Sequence, residues 1–229
     1  WFDRHVDAIN EPHRPIPSGR MPGRWGLYVA LIWTVLSLLL STALGPWGFG
    51  AAVLGLVLAW AYSAPPVRLK RNGWWGNAAC GLSYEGLAWL TGAAVMAGGQ
   101  MPGLASMTLA ALYSLGAHGI MTLNDFKSID GDRRMGIASL PVQLGAKGAA
   151  WAACATMVLA QLAVMACLLA WGRPFHAVAL AGCVVAQIMM MRRFLARPVA
   201  RALWLSGLGV PLYVAGMMIS AFALRGLAS

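Results

Sequence analysis

The chain has 229 residues, of which 59% are hydrophobic and only 10% are charged, and its formal net charge is +10 at neutral pH. A soluble domain carries about 25% charged residues, so this composition excludes a molecule whose surface faces water throughout. We therefore expect an integral membrane protein. A net positive charge is also typical of nucleic-acid-binding proteins, but the distribution of the charges along this chain indicates a different cause.

Seven apolar stretches follow one another along the chain, each approaching the ~20 residues needed to cross ~30 Å of hydrocarbon. They are 25–44, 47–62, 76–97, 104–122, 149–171, 174–191 and 203–224. Only helices and closed barrels satisfy backbone groups in lipid, and these stretches lack the alternation of barrel strands. The sequence therefore predicts an all-α fold, a polytopic transmembrane helical bundle that is embedded in the lipid bilayer.

Lysine and arginine are distributed unevenly between the two ends of these spans. Fifteen of the 17 lie in residues 1–24, 63–75, 123–148 and 192–202, whereas Arg173 and Arg225 lie on the opposite side. Because basic residues concentrate in cytoplasmic loops, these four segments are predicted to be cytoplasmic. The charge surplus then reflects orientation, and no nucleic-acid partner is expected.

Acidic residues are rare and clustered. Six of the seven lie in two segments, Asp3, Asp7 and Glu11 near the start and Asp125, Asp130 and Asp132 after the fourth span. Asp3 and Asp7 are spaced i, i+4, and Asp125 and Asp132 are spaced i, i+7, so a helix would present each pair on one face. Oxygen ligands without a His or Cys cluster favour Mg²⁺ over Zn²⁺. These clusters predict a divalent-metal site for a polyanionic substrate, with solvated surface acids as the alternative for the first pair.

Basic side chains on the same side of the membrane are candidates for binding that polyanion. Arg14 follows the first acidic cluster, and Arg68 and Lys70 lie on a loop stiffened by two prolines. Arginine offers a bidentate fork and lysine a point charge to a diphosphate. The alternative is that they serve only to orient the chain in the membrane.

Four further residues are expected to line a cavity that holds the polyanionic substrate. Glu85 lies in the middle of the third span, where an ionisable group should face the interior or a wet cavity, and Tyr84 is its neighbour. Ser128 lies on the predicted Asp125 face, and so does His118. A structural hydrogen bond is the alternative for Glu85, and packing is the alternative for His118.

Three motifs resemble those of the UbiA-type intramembrane prenyltransferases. Residues 1–7 are similar to the tail of that family's first aspartate-rich motif, N-D-x-x-D-x-x-x-D, with Asp3 and Asp7 as its last two aspartates. Residues 124–132 resemble the second motif, D-x-x-D-x-x-x-D, in which Asp125 and Asp132 match and Ser128 replaces the middle aspartate. Residues 62–71 are similar to the loop Y-S-x-P-P-x-R-x-K-R.

Other stretches are similar to the chlorophyll and bacteriochlorophyll synthase branch of that family. They are DAINEPHRPIPSG at 7–19 and ASLPV at 138–142, while NGWWGNAACGLSYEG at 72–86 resembles the bacterial part of the branch. The resemblance implies a bundle of nine membrane helices. Since the chain starts at Trp1 and an acidic site needs helices to hold it, we expect residues 1–229 to be a single membrane-embedded domain, N-terminally incomplete.

The resemblance also implies an activity, esterification of the C17 propionate of (bacterio)chlorophyllide with geranylgeranyl or phytyl diphosphate. Asp3, Asp7, Asp125 and Asp132 would then be the catalytic residues that bind Mg²⁺, and Arg14, Arg68 and Lys70 would bind the diphosphate. A sister prenyltransferase acting on a quinone precursor or haem would share all of these residues. An alternative from another class is a transporter or a scaffold for pigment assembly, and the sequence does not indicate an oligomeric state.

Overall fold

The computed structural model describes residues 1–227, and every regular element within them is helical. The α-helices are α1 (Arg4–Asn10), α2 (Trp25–Ser41), α3 (Gly45–Ser63), α4 (Gly73–Gly81), α5 (Ala88–Met96), α6 (Leu104–Asp125), α7 (Ile129–Arg134), α8 (Leu140–Ala170), α9 (Pro174–Ala196) and α10 (Pro198–Ala223). A π-helical turn, Leu82–Leu87, joins α4 to α5. The predicted all-α fold is confirmed.

The predicted spans coincide with these helices except at their ends. Five helical stretches in residues 1–227 are long and apolar enough to cross a membrane, and the first of them, Trp25–Ser63, contains both α2 and α3. Its two parts fold back on each other at a 3₁₀ turn, Thr42–Leu44, after which Gly45 adopts a φ of 75°. The rod from α4 to α5 is not among the five, because the π turn leaves no uninterrupted α-helix of sufficient length in it.

The core of the bundle lies between α6, α8, α9 and α10. It contains polar groups that are completely buried and bonded between helices. The Gln161 side chain donates a 2.8 Å hydrogen bond to Gln187, and the Tyr213 hydroxyl donates one of 3.0 Å to the Tyr113 carbonyl oxygen. Such bonds supplement van der Waals packing where lipid replaces water as the solvent.

Helices α2 and α3 bury few side chains, and most of their large apolar residues are exposed, as expected for a surface that faces lipid.

Three polar segments are joined at one end of the bundle. The loop after α3 forms an isolated bridge between Asn72 and Ala138, and the Ala138 amide donates a hydrogen bond to the Arg71 carbonyl oxygen at 2.9 Å. Helices α1 and α7 contact each other at the same end. The connections between helices therefore bring both acidic segments and the basic loop together, and this arrangement positions the site.

Candidate active site

A cavity of about 680 Å³ lies between α1, α4, the π turn and the α6–α7 segment. All four predicted metal ligands line it: Asp3, Asp7, Asp125 and Asp132. The two acidic clusters, which are more than a hundred residues apart in sequence, thus share one cavity. This placement locates the residues and leaves their roles as proposals.

Each aspartate of the first cluster is paired with a basic side chain. Asp3 is the residue before α1, and its Oδ1 lies 2.6 Å from Lys70 Nζ, while its Oδ2 accepts a 3.0 Å hydrogen bond from the Ser63 hydroxyl. Asp7 lies in the first turn of α1 and accepts a 3.0 Å hydrogen bond from Arg14. Two of the three candidate diphosphate ligands, Arg14 and Lys70, therefore lie directly beside candidate metal ligands.

The second cluster is built differently from the sequence prediction. Residues 125–132 were expected to form one helix, but α6 ends at Asp125 and α7 begins at Ile129, with a turn between them. Asp125 and Asp132 therefore face the cavity from two separate helices rather than from one helical face. The Asn77 side chain donates a 3.1 Å hydrogen bond to Asp125 Oδ2, which fixes the orientation of that carboxylate.

Asp132 is buried although it carries a carboxylate, with only 7% of its surface exposed. Burial raises its pKa above the ordinary value, while the nearby Ser139 hydroxyl and the Lys70 ammonium group oppose that rise. The raised pKa shows that burial costs the charged form free energy that the protein's own groups do not fully offset. A bound cation would remove this cost.

The basic residues divide into two groups by position. Arg14 and Lys70 line the cavity. Arg68 is not among the residues lining it, although its Nη2 lies 3.9 Å from Asp3 Oδ1. Arg68 has a left-handed backbone, φ 44° and ψ 59°, which is uncommon for a residue with a side chain and turns the chain just before Lys70.

The other predicted lining residues also divide. Tyr84, Glu85 and Ser128 line the cavity, whereas Asp130 is exposed and is not among the lining residues. His118 is not among the lining residues. Its ring packs against Trp74 with the centroids 5.5 Å apart, and its Nε2 lies 3.2 Å from the Trp74 carbonyl oxygen. The packing alternative therefore describes His118 better.

Two further residues line the cavity: Asn77, for which no role is predicted, and Glu11, which is predicted only as a member of the first acidic cluster. Asn77 supports Asp125, and Glu11 accepts a 2.8 Å hydrogen bond from Lys127. This bond, more than any other contact, lowers the pKa of Glu11, so the Glu11 carboxyl group is ionised at neutral pH. Asn77 had a detectable signal, since it is a lone amide in an apolar span, whereas the Glu11–Lys127 contact depends on the tertiary fold.

The donor set of the cavity is suited to a hard divalent cation. It consists of carboxylate, amide and hydroxyl oxygens. Among residues 1–227, no three His, Cys, Asp or Glu side chains converge closely enough to form a preorganised metal cage. Mg²⁺ commonly binds through one or two carboxylates plus substrate phosphate and water, so this arrangement fits Mg²⁺ better than an all-protein site.

A smaller cavity of about 240 Å³ also contacts Asp3, between α1, α2 and α3. Its walls are mostly apolar and include Phe2, Leu27 and Trp60. The Phe2 and Trp60 rings pack edge to face there, with their centroids 6.2 Å apart. Asp3 thus stands between a polar cavity and an apolar one.

A helical bundle with an acid-lined cavity is the architecture of an intramembrane transferase. The chain belongs to the UbiA prenyltransferase family, whose profile matches residues 1–208. A solved structure from work on the biosynthesis of digeranylgeranylglyceryl phosphate synthase in membranes has a similar fold. The TM-score is 0.71, and the match covers 99% of this chain and 78% of that chain. At 23% identity, this likeness supports the fold alone.

Within the family, the chain lies on the chlorophyll and bacteriochlorophyll synthase branch. It is 58% identical to the bacteriochlorophyll synthase 33 kDa chain of Cereibacter sphaeroides, over 99% of this chain and 75% of that protein. It is 47% identical to the 34 kDa chain of Chloroflexus aurantiacus, over 98% and 71% respectively. The chloroplastic chlorophyll synthase of Oryza sativa is 40% identical, over 97% and 61%. The predicted family and branch are confirmed.

Proposed function

We propose that this protein transfers a geranylgeranyl or phytyl group from its diphosphate to the C17 propionate of (bacterio)chlorophyllide. The observation that carries the proposal is the 58% identity, over nearly the whole chain, to a protein named bacteriochlorophyll synthase. The cavity supports it, because two pairs of aspartates and two basic side chains, Arg14 and Lys70, line a space of about 680 Å³ beside an apolar pocket.

The roles of the residues follow from the charge of the diphosphate. Asp3, Asp7, Asp125 and Asp132 would hold Mg²⁺, which neutralises the leaving group when bound. Arg14 and Lys70 contact the aspartates and would bind the same diphosphate from the protein side, with Arg68 behind Lys70. Fixed positive groups of this kind stabilise charge that develops as the leaving group departs.

The acceptor needs no activation by the protein. A carboxylic acid has a reference pKa near ~4, so the propionate is an anion at neutral pH and can act as the nucleophile. One of its oxygens forms the new bond to the allylic carbon, the bond from that carbon to the diphosphate oxygen breaks, and diphosphate leaves with the electron pair. For phytyl diphosphate the same bonds form and break. The low water content of an apolar cavity protects the reacting carbon from hydrolysis.

The smaller cavity suggests where the prenyl tail leaves the site. Asp3 borders both cavities, so a diphosphate held near Asp3 would leave its tail against the apolar walls formed by Phe2 and Trp60. The 15-to-2 distribution of basic residues supports a cytoplasmic location of the acidic loops, in a bacterial inner or photosynthetic membrane.

The competing acceptors are a quinone precursor and haem, and product analysis separates them. Purified full-length protein in detergent would be incubated with geranylgeranyl diphosphate, Mg²⁺ and bacteriochlorophyllide, chlorophyllide, a hydroxybenzoate or haem. Mass spectrometry should find a prenyl ester with a chlorophyllide-type acceptor only. Prenylation of the hydroxybenzoate or haem at a higher rate would contradict the proposal, and no product with any acceptor would favour a scaffold or transporter.

A further inference from the structure

Glu11 and Lys127 join the two acidic segments of the protein. Glu11 is the residue that follows α1, and Lys127 lies in the turn between α6 and α7. Lys127 Nζ donates a hydrogen bond to Glu11 Oε1 at 2.8 Å, and both side chains line the large cavity. Glu11 lies four residues after Asp7, and Lys127 lies two residues after Asp125.

A second contact joins the same two segments beside this ion pair. Asn10, adjacent to Glu11, packs its side chain directly against Gly131, adjacent to Asp132. A Cβ added at Gly131 would overlap the Asn10 side chain, with its Nδ2 only 2.7 Å away. Two successive residues of the first segment therefore contact the second segment at two points that lie between Asp125 and Asp132.

We propose that Glu11 and Lys127 are positioning residues that act as a clasp, fixing the distance between the two aspartate pairs so that both can hold metal on one diphosphate. This inference rests on the proposed function. Glu11 is 17% exposed and Lys127 40% exposed, so the pair adds little to global stability. Its effect is on the geometry of the site, because Arg14 links Glu11 to Asp7: its Nη2 lies 3.9 Å from Glu11 Oε1 and its Nη1 lies 3.0 Å from Asp7 Oδ1. Outer partners of metal ligands influence metal affinity strongly.

Two simpler roles make different predictions. If Glu11 and Lys127 acted only through their charges, Lys127→Met would strengthen cation binding, because it removes a positive charge from the cavity. If Lys127 simply bound phosphate, Lys127→Met would weaken diphosphate binding, whereas Glu11→Gln would strengthen it by releasing Lys127 and Arg14, both of which pair with Glu11. The clasp predicts that both single substitutions weaken metal binding, and that exchanging the two charges restores it.

The experiment measures Mn²⁺ uptake by electron paramagnetic resonance on the full chain in detergent, with geranylgeranyl diphosphate and without acceptor. A protein-free blank corrects for metal held by the diphosphate in solution. The variants are Glu11→Gln, Lys127→Met and the double exchange Glu11→Lys with Lys127→Glu. Asp130→Asn and Arg134→Met are matched controls, because each removes a like charge from an exposed residue of α7. Melting temperatures check that every variant is folded.

The clasp predicts that both single variants lower Mn²⁺ affinity by roughly 10-fold, the lower end of the effect of outer-sphere partners, at an unchanged melting temperature. The double exchange should recover most of that affinity, and the controls should match the wild type. Stronger Mn²⁺ binding by Lys127→Met, or no recovery in the double exchange, would overturn the clasp alone. No Mn²⁺ uptake by the wild type would overturn the metal-dependent function and the clasp with it.

Discussion

Lys70 Nζ lies 2.6 Å from Asp3 Oδ1, so a proposed diphosphate ligand is in direct contact with a proposed metal ligand. The Lys70 side chain is only 13% exposed, which limits the positions that its ammonium group can take. The contact links the loop after α3 to the start of α1. Lys70 thus holds the Asp3 carboxylate in place, and in the proposed reaction it would bind the diphosphate from the same position.

We predict that Lys70→Met raises the KM for the prenyl diphosphate and lowers kcat/KM by roughly 10- to 150-fold. This range corresponds to losing a hydrogen bond to a charged group, about 1.5–3 kcal/mol. Steady-state kinetics with varied prenyl diphosphate would measure it. Arg71→Met is the matched control, because Arg71 is exposed and makes no ion pair in the part of the chain that the structure describes. Equal losses in both variants would indicate a general effect of positive charge.

Asp125 and Asp132 should tolerate substitution much less than their neighbours. Asp125→Asn and Asp132→Asn each remove a carboxylate that faces the cavity. We expect each to lower kcat/KM by roughly 10²-fold or more, which corresponds to a loss of several kcal/mol of transition-state stabilisation. Ser128→Ala should cost only about 1 kcal/mol, the value of one hydrogen bond. Asp130→Asn is the control because Asp130 is exposed. If it proved as damaging as Asp132→Asn, Asp130 would belong among the metal ligands.

Removal of the divalent metal should abolish turnover reversibly. The buried carboxylate of Asp132, which shares the cavity with three further aspartates, favours a cation there. Dialysis against EDTA should leave no ester formation, and Mg²⁺ or Mn²⁺ should restore it, since both prefer oxygen ligands. Full activity in excess EDTA would show that the basic side chains suffice without metal.

Close packing of α6 against α8 gives a prediction about stability. A Cβ at Gly119 would overlap the Ala153 carbonyl oxygen and the Thr156 hydroxyl, and would lie 2.8 Å from Met157 Cγ. Gly119→Ala should therefore cost about 1–3 kcal/mol, the usual range for overpacking, and lower the melting temperature in detergent. Gly182→Ala in α9 is the control, because its Cβ meets open space and alanine favours a helix. A fall of equal size in both variants would contradict the packing argument.

The sequence predicted the helical fold well because membrane helices are defined by long apolar stretches, a signal that a single chain displays fully. The basic residues in every second loop and the two acidic segments likewise predicted which side chains line the cavity. Asp3, Asp7, Asp125, Asp132, Arg14 and Lys70 meet there because successive spans return the chain to one side, which topology alone requires.

Other features depend on packing that the sequence does not display. The turn that separates Asp125 from Asp132 interrupts a stretch whose spacing fits one helix, and α7 after the turn packs against both α1 and α8. His118 carries the same spacing as a lining residue, yet its position is set by Trp74 on another helix. The Glu11–Lys127 pair joins residues far apart in sequence, so no local pattern predicts it.

The central claim is that the propionate carboxylate attacks the prenyl carbon while a metal-held diphosphate leaves. It is tested most directly with bacteriochlorophyllide labelled with ¹⁸O in both oxygens of the C17 propionate, geranylgeranyl diphosphate and Mg²⁺. The account predicts that the ester retains both labels and that the released diphosphate carries none, because the carbon–oxygen bond of the prenyl diphosphate breaks. One label in the ester and one in phosphate would show that the carboxylate attacks phosphorus first, and would contradict the account.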